Sequence, residues 1–372
     1  MSPSRRDFLR LWAGAALCPD AMTGRLVGTV PFADDERRPT VHTRLGEGLD
    51  ARLYTDLSGL TADSLVTPAA KFFVRTGAPD LTTARVPWTI RITGRTNRPA
   101  PLSVTDVDRE AEPAGPFVTE CAGNTNRAAF GLVAAATWSG VPLVKLLEPA
   151  QPIRRATRVR VGGLDPASRS SSSVPGASWI FSLDQLASTG ALLVTRMNGQ
   201  PLARDHGAPA RLIVPGWYGC TCIKWVDEIA FVDDAEPSTS HMQEFAARTH
   251  QDGVPALARD FAPASMDLTA FPIRIEKWRV DGTLTYRVVG VVWGGDRPAT
   301  KLRIRFKATE AFQTFDVCPA PPTPLMWSLW SYVWRPAARG RYEIVVKAGD
   351  PVVRSTRLDL YFYVRQVWID ET

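Results

Sequence analysis

Two stretches of this 372-residue chain carry side chains able to do chemistry. The first is Pro116-Phe-Val-Thr-Glu-Cys-Ala-Gly-Asn-Thr-Asn126, an apolar, strand-like lead-in that stops at Glu120-Cys121 and meets the turn-forming Ala122-Gly123-Asn124. That geometry lifts one thiol off a strand end toward a cleft. The same Cys121 could instead close the strand as a small buried residue, the commonest fate of a free cysteine. The second stretch runs from Arg204-Asp-His-Gly to Lys224-Trp225, with a short strand at Ala210–Val214 broken by Pro215-Gly216. His206, Arg211 and Lys224 flank that turn, where backbone amides and cations can meet an anion. Cys121 paired with His206 as base would make a cysteine hydrolase. Cys220 and Cys222, spaced C-x-C, stand too close for a zinc pair and have no second pair, so wall packing is expected of both. Cys318 reads as structural. The four histidines (His42, His206, His241 and His250) are too scattered for a multi-histidine metal site.

The elements that must position these residues alternate with turns, as 30 Pro and 27 Gly require. Residues 31–60 read as a polar extended arm. Lys71–Thr76, Trp88–Gly94, Thr157–Gly162 and Leu192–Val194 read as strands, and Pro142–Leu147 and Leu183–Ala187 as short helices. Ser168–Ser173 reads as a loop, and Asn198-Gly199 as a hairpin turn. From about Ala270 the texture changes to strands at sandwich spacing: Ile273–Val280, Thr283–Val292, Lys301–Phe306, Met326–Trp334, Tyr342–Lys347 and Arg357–Val364. Asp281-Gly282 turns the first pair into a hairpin, and Trp327, Trp330 and Trp334 are expected in a core. The fold class is therefore α+β followed by an immunoglobulin-like β-sandwich, with domains at 31–240 and 241–372 behind a leader at 1–30.

Composition narrows the partners. A hydrophobic share of 45%, a charged share of 22% and a net charge of +6 are ordinary for a globular chain. No Lys/Arg block runs through the body of the chain, which excludes a nucleic-acid partner and suits small, possibly anionic substrates. No run approaches the ~20 apolar residues of a membrane span. Ser4-Arg5-Arg6-Asp7-Phe8-Leu9-Arg10, followed by the short apolar run Leu11–Leu17, matches the twin-arginine export pattern. Periplasmic delivery of a folded, cofactor-loaded enzyme is the expectation.

The set Phe72-Phe-Val-Arg75, Cys121-Ala-Gly-Asn124, Met197-Asn-Gly199, Arg204-Asp-His-Gly207 and Lys224-Trp225 resembles the sulfite oxidase family of molybdopterin enzymes, and Gly290-Val-Val-Trp-Gly-Gly295 resembles the opening of that family's second domain. The resemblance implies a molybdopterin cofactor ligated by Cys121, a soft thiolate suited to a metal already held by sulfur. It places Phe73, Val74, Asn124, Asp165, His206, Arg211, Cys222, Ile223 and Lys224 around the pterin and its phosphate. Arg75 then faces an oxyanion substrate through its guanidinium fork. Two departures bear on the substrate. Thr125-Asn126 stands where sulfite-oxidising members carry an arginine, with Arg127 one place later. The family's pocket tyrosine is replaced in its region by Phe245 and Ala247, leaving Tyr218 as the nearest phenol. Fewer fixed cations imply a substrate other than sulfite. No haem domain is recognised, so electrons are expected to pass to an external carrier such as a c-type cytochrome, and the sandwich suggests a homodimer.

Overall fold

A computed structural model describes residues 22–33, 43–79, 87–124, 130–164, 176–349 and 364–372. The export motif, residues 125–127, Asp165, the serine-rich loop and nearly all of the strand expected at Arg357–Val364 lie outside these residues. Sheet dominates, and the α-helices among the described residues run only five to seven residues each. Among the described residues, four sheets make two layered halves.

The first half holds two five-stranded sheets. One runs Arg211–Ile213, Leu192–Met197, Val133–Pro142 and Glu112–Glu120, with Gln200–Pro201 paired to Leu192–Met197. The other runs Leu102–Ser103, Thr89–Gly94, Val226–Val232, Arg158–Gly163 and Ser178–Ser182. Asn198 and Gly199 both take positive φ (52° and 77°), as a tight primed hairpin turn requires. Helix Leu183–Thr189 starts on a capping box: the Ser182 hydroxyl accepts from the Gln185 amide, and the Gln185 side chain accepts from the Ser182 amide.

The second half holds two four-stranded antiparallel sheets: Arg25–Val30, Thr269–Val280, Thr283–Trp293 and Ser328–Trp334, and Gln313–Asp316, Lys301–Arg305, Gly340–Ala348 and Arg365–Ile369. Their inward residues form one core that includes Ile275, Tyr286, Val288, Ile304, Ile344 and Val367. Asp281 and Gly282 make the expected hairpin turn. Trp327, Trp330 and Trp334 are all buried.

The strand Thr283–Trp293 belongs to both halves, because period-two alternation sends successive side chains to opposite faces. Tyr286, Val288 and Val292 enter the sandwich core, whereas Val289, Val291 and Trp293 enter the core of the first half. Burial on both faces explains why this stretch is apolar without interruption. Polar bonds fasten the same seam: Trp327 Nε1 donates to the Leu65 carbonyl at 2.8 Å, and Arg274 donates to the carbonyls of Ser58 and Leu60.

Three readings change. Lys71–Thr76 is no strand: Ala69–Lys71 forms a 3-10 turn, and Val74 alone bridges to Leu53. Arg25–Val30, within the stretch read as leader, pairs with Thr269–Val280 at the edge of the sandwich. Within the stretch read as an arm, Leu49, Leu57 and Leu60 are buried in the main core, because apolar residues spaced along an irregular segment still find a surface to cover.

Candidate active site

The strand Glu112–Glu120 ends at the cleft, and the turn that follows is tied down by backbone bonds. The Cys121 amide donates to the Leu132 carbonyl, and the Asn124 amide closes back onto the Cys121 carbonyl, both at 2.9 Å. The Gly123 amide donates to Cys121 Sγ at 3.3 Å. Cys121 is a free thiol and is buried. The second anchor is the 3-10 turn Arg204–His206, which ends on Gly207. Gly207 has φ of 107°, and a Cβ there would stand 3.1 Å from the side chains of Arg211 and Lys224, so only glycine lets the turn sit against both cations. A third wall is the helix Ser240–Phe245, whose Thr239 cap accepts from the Met242 amide and donates to the Ser178 carbonyl.

These elements surround a cleft of about 890 Å³, open mouth included. Phe73, Arg75, Cys121, His206, Arg211, Cys222, Ile223 and Lys224 all line it, as expected from the sequence. The charges acting on the Cys121 thiol are those of Arg75, Glu120 and Arg248, whereas His206 feels Arg211 and Lys224. The cleft thus places cations beside both the thiol and the imidazole.

Burial sets the protonation states. It raises the Cys121 thiol, an effect that Arg75 opposes. Burial pushes Cys220 and Cys222 up as well. It draws His206 down to about 4, so the ring is neutral near pH 7. His206 Nε2 is 3.0 Å from the Ala69 carbonyl, which fixes that nitrogen as donor. A buried thiol held protonated, and an imidazole turned toward Ala69, do not make a Cys–His nucleophile pair.

Four expected contacts are placed elsewhere or not at all. Val74 does not line the cleft. Its side chain packs with Ala51 and Leu53, and its amide and carbonyl both bond Leu53, because neighbours along an extended chain face opposite ways. Asn124 also stands off the cleft, with Nδ2 donating to Glu120 Oε1 at 3.2 Å and Oδ1 accepting from the Leu132 amide at 3.1 Å. Tyr218 is fully buried with its hydroxyl 3.3 Å from Asp267 Oδ2, so it offers no phenol to the cleft. Asp165 falls outside the described residues.

Sequence reasoning missed His241 and Glu244, which with Phe245 line the cleft from one face of their helix. Their i, i+3, i+4 spacing behind a Thr cap was the available signal. It also missed Thr76 and Asp205 beside Lys224. Lys224 Nζ donates to the carbonyls of Thr76 and Asp205 and lies 4.3 Å over the Trp225 ring. Trp225 has φ of 52°, uncommon for a bulky residue, and this left-handed backbone sits at the cleft wall.

The donor set suits a molybdopterin. Arg211 Nε and His241 Nδ1 are buried without a protein partner, as expected of atoms reserved for a ligand. The free Cys121 thiol offers a soft ligand, Arg211 and Lys224 offer donors for a phosphate, and Nδ1 of neutral His206 offers an acceptor. Among the described residues there is no cluster of three or more His, Cys, Asp or Glu that could hold a metal by themselves.

Comparison with known proteins agrees. Residues 77–240 match the model of the oxidoreductase molybdopterin binding domain. The chain is 26% identical to the mitochondrial sulfite oxidase of Rattus norvegicus over 379 residues, covering 94% of this chain and 67% of that protein. It is 25% identical to the inducible nitrate reductase [NADH] 2 of Glycine max over 338 residues, covering 80% of this chain but only 38% of the relative. The fold resembles the sulfane dehydrogenase SoxCD of Paracoccus pantotrophus, with a TM-score of 0.62, 18% identity, and coverage of 94% of this chain and 89% of that one. Residues 77–240 thus carry an oxidoreductase molybdopterin binding domain, and the chain is similar to sulfite oxidases and nitrate reductases.

Proposed function

We infer that the chain is an exported enzyme that moves an oxygen atom to or from a small substrate and exchanges electrons with a separate carrier such as a c-type cytochrome. The observation that carries this reading is one cleft lined by both a free buried thiol and a buried guanidinium whose Nε has no protein partner. When bound, the cofactor supplies a metal centre that exchanges electron pairs with the substrate. The chain's own part is binding and access. Cys121 is the metal ligand. Arg211, Lys224 and neutral His206 hold the pterin and its phosphate, while Phe73 and Ile223 keep that wall dry. Arg75, beside Cys121, binds the negative pole of the substrate.

The relatives include a sulfite oxidase and a solved sulfane dehydrogenase, and sulfur-centred chemistry is the first substrate class to test. Sulfite oxidation and sulfoxide reduction both fit a cleft holding Arg75. The twin-arginine motif supports a periplasmic location. The two-sheet second half suits an immunoglobulin-like module that pairs two copies.

Molybdenum and pterin analysis of protein made in a cofactor-competent host tests the assignment. Steady-state assays with sulfite, sulfoxides and N-oxides against a dye acceptor then sort the substrate. Protein free of molybdenum would overturn the reading.

A further inference from the structure

Beside Cys121 lies a carboxyl group that the cleft does not use. Glu120 is fully buried, and its two oxygens accept from different halves of the molecule. Oε1 takes Asn124 Nδ2 at 3.2 Å, and Oε2 takes Trp293 Nε1 at 3.0 Å. Trp293 stands on the sandwich strand Thr283–Trp293, packed against Phe130 and Trp327. From Asn124 the connection continues to Leu132 and to the carbonyl of Cys121.

We propose that Trp293 is a positioning residue: acting through Glu120 and Asn124, the second half of the chain holds the Cys121 turn in the geometry that accepts the metal. This rests on the reading of Cys121 as the ligand. A buried acceptor held by two buried donors fixes the orientation of the groups at both ends. Partners of this kind, one step behind a ligand, set its rotamer and the tightness of the site. The sandwich would thus complete the metal site from behind.

The test compares Trp293→Phe with Trp327→Phe. Each removes one buried indole N–H bond at the same seam, but the Trp327 bond goes to Leu65, away from the turn. In cofactor-free protein, peptide-mapped iodoacetamide labelling of Cys121 should quicken roughly five-fold in Trp293→Phe, the size of one lost buried hydrogen bond, and stay unchanged in Trp327→Phe. In loaded protein, Trp293→Phe should lose molybdenum on dialysis roughly ten-fold faster than wild type. Equal labelling rates in the two variants at matched unfolding temperatures would overturn the proposal. Wild-type protein that never holds molybdenum would sink the cofactor assignment instead, leaving the labelling comparison to judge the positioning of the turn.

Discussion

His241 Nε2 lies 2.8 Å from the carbonyl oxygen of Cys220. A carbonyl only accepts, so Nε2 carries the hydrogen and Nδ1 remains as a buried acceptor. Burial draws this ring, like that of His206, down to about 4 from an ordinary 6.5. Between those values the unfolded chain binds protons that the folded chain refuses. Stability is therefore full above pH 6.5 and is lost as pH falls toward 4, by on the order of 3 kcal/mol for each ring. The unfolding midpoint of cofactor-free protein, followed by circular dichroism from pH 7 to pH 4.5, should fall accordingly. His241→Gln should flatten part of that slope, and a midpoint with no dependence on pH over this window would contradict the account.

Tyr218 gives a second prediction, because its hydroxyl serves Asp267 and not the cleft. Tyr218→Phe should cost about 1 kcal/mol of stability and leave turnover unchanged. A ten-fold loss of turnover with stability intact would restore the phenol to the reaction.

Gly290 marks a contact at which no other residue fits. A Cβ there would lie 2.0 Å and 2.2 Å from two atoms of the Trp330 indole, whose ring lies against the strand backbone. Gly290 pairs with Trp330 across adjacent strands, and the Phe271 carbonyl oxygen would stand 2.7 Å from the same Cβ, so a shift of the ring alone would not make room. Gly290→Ala should destabilise by about 3 kcal/mol, at the upper end for overpacked cores, as read from denaturant unfolding. An unchanged midpoint would show that the ring moves freely.

The expected residues that line the cleft lie mostly in short motifs whose backbone points them into it. Cys222, Ile223 and Lys224 reach the cleft together behind the 3-10 turn Gly219–Thr221, and His206 reaches it from the turn Arg204–His206. Single contacts chosen beside a correct neighbour fared worse. Val74 follows Phe73 but faces away from it, and Asn124 follows the Cys121 turn but is used up in closing it. Tyr218 sits next to the right turn, yet the 3-10 turn Gly219–Thr221 leaves it facing Asp267. His241 and Glu244 reach the cleft only through the docking of a short helix against Ser178, a long-range contact that no local pattern records. The sandwich was readable from strand spacing and the Asp281-Gly282 turn. The addition of Arg25–Val30 was not, because an edge strand with one wet face carries little apolar signal.

On the proposed function, Cys121 ligates molybdenum in this cleft. X-ray absorption at the molybdenum edge, on wild type and Cys121→Ser prepared from the same cofactor-competent host, tests it most directly. The account predicts metal in the wild type with a sulfur shell that loses one neighbour in the variant. An identical sulfur shell in both proteins would contradict it.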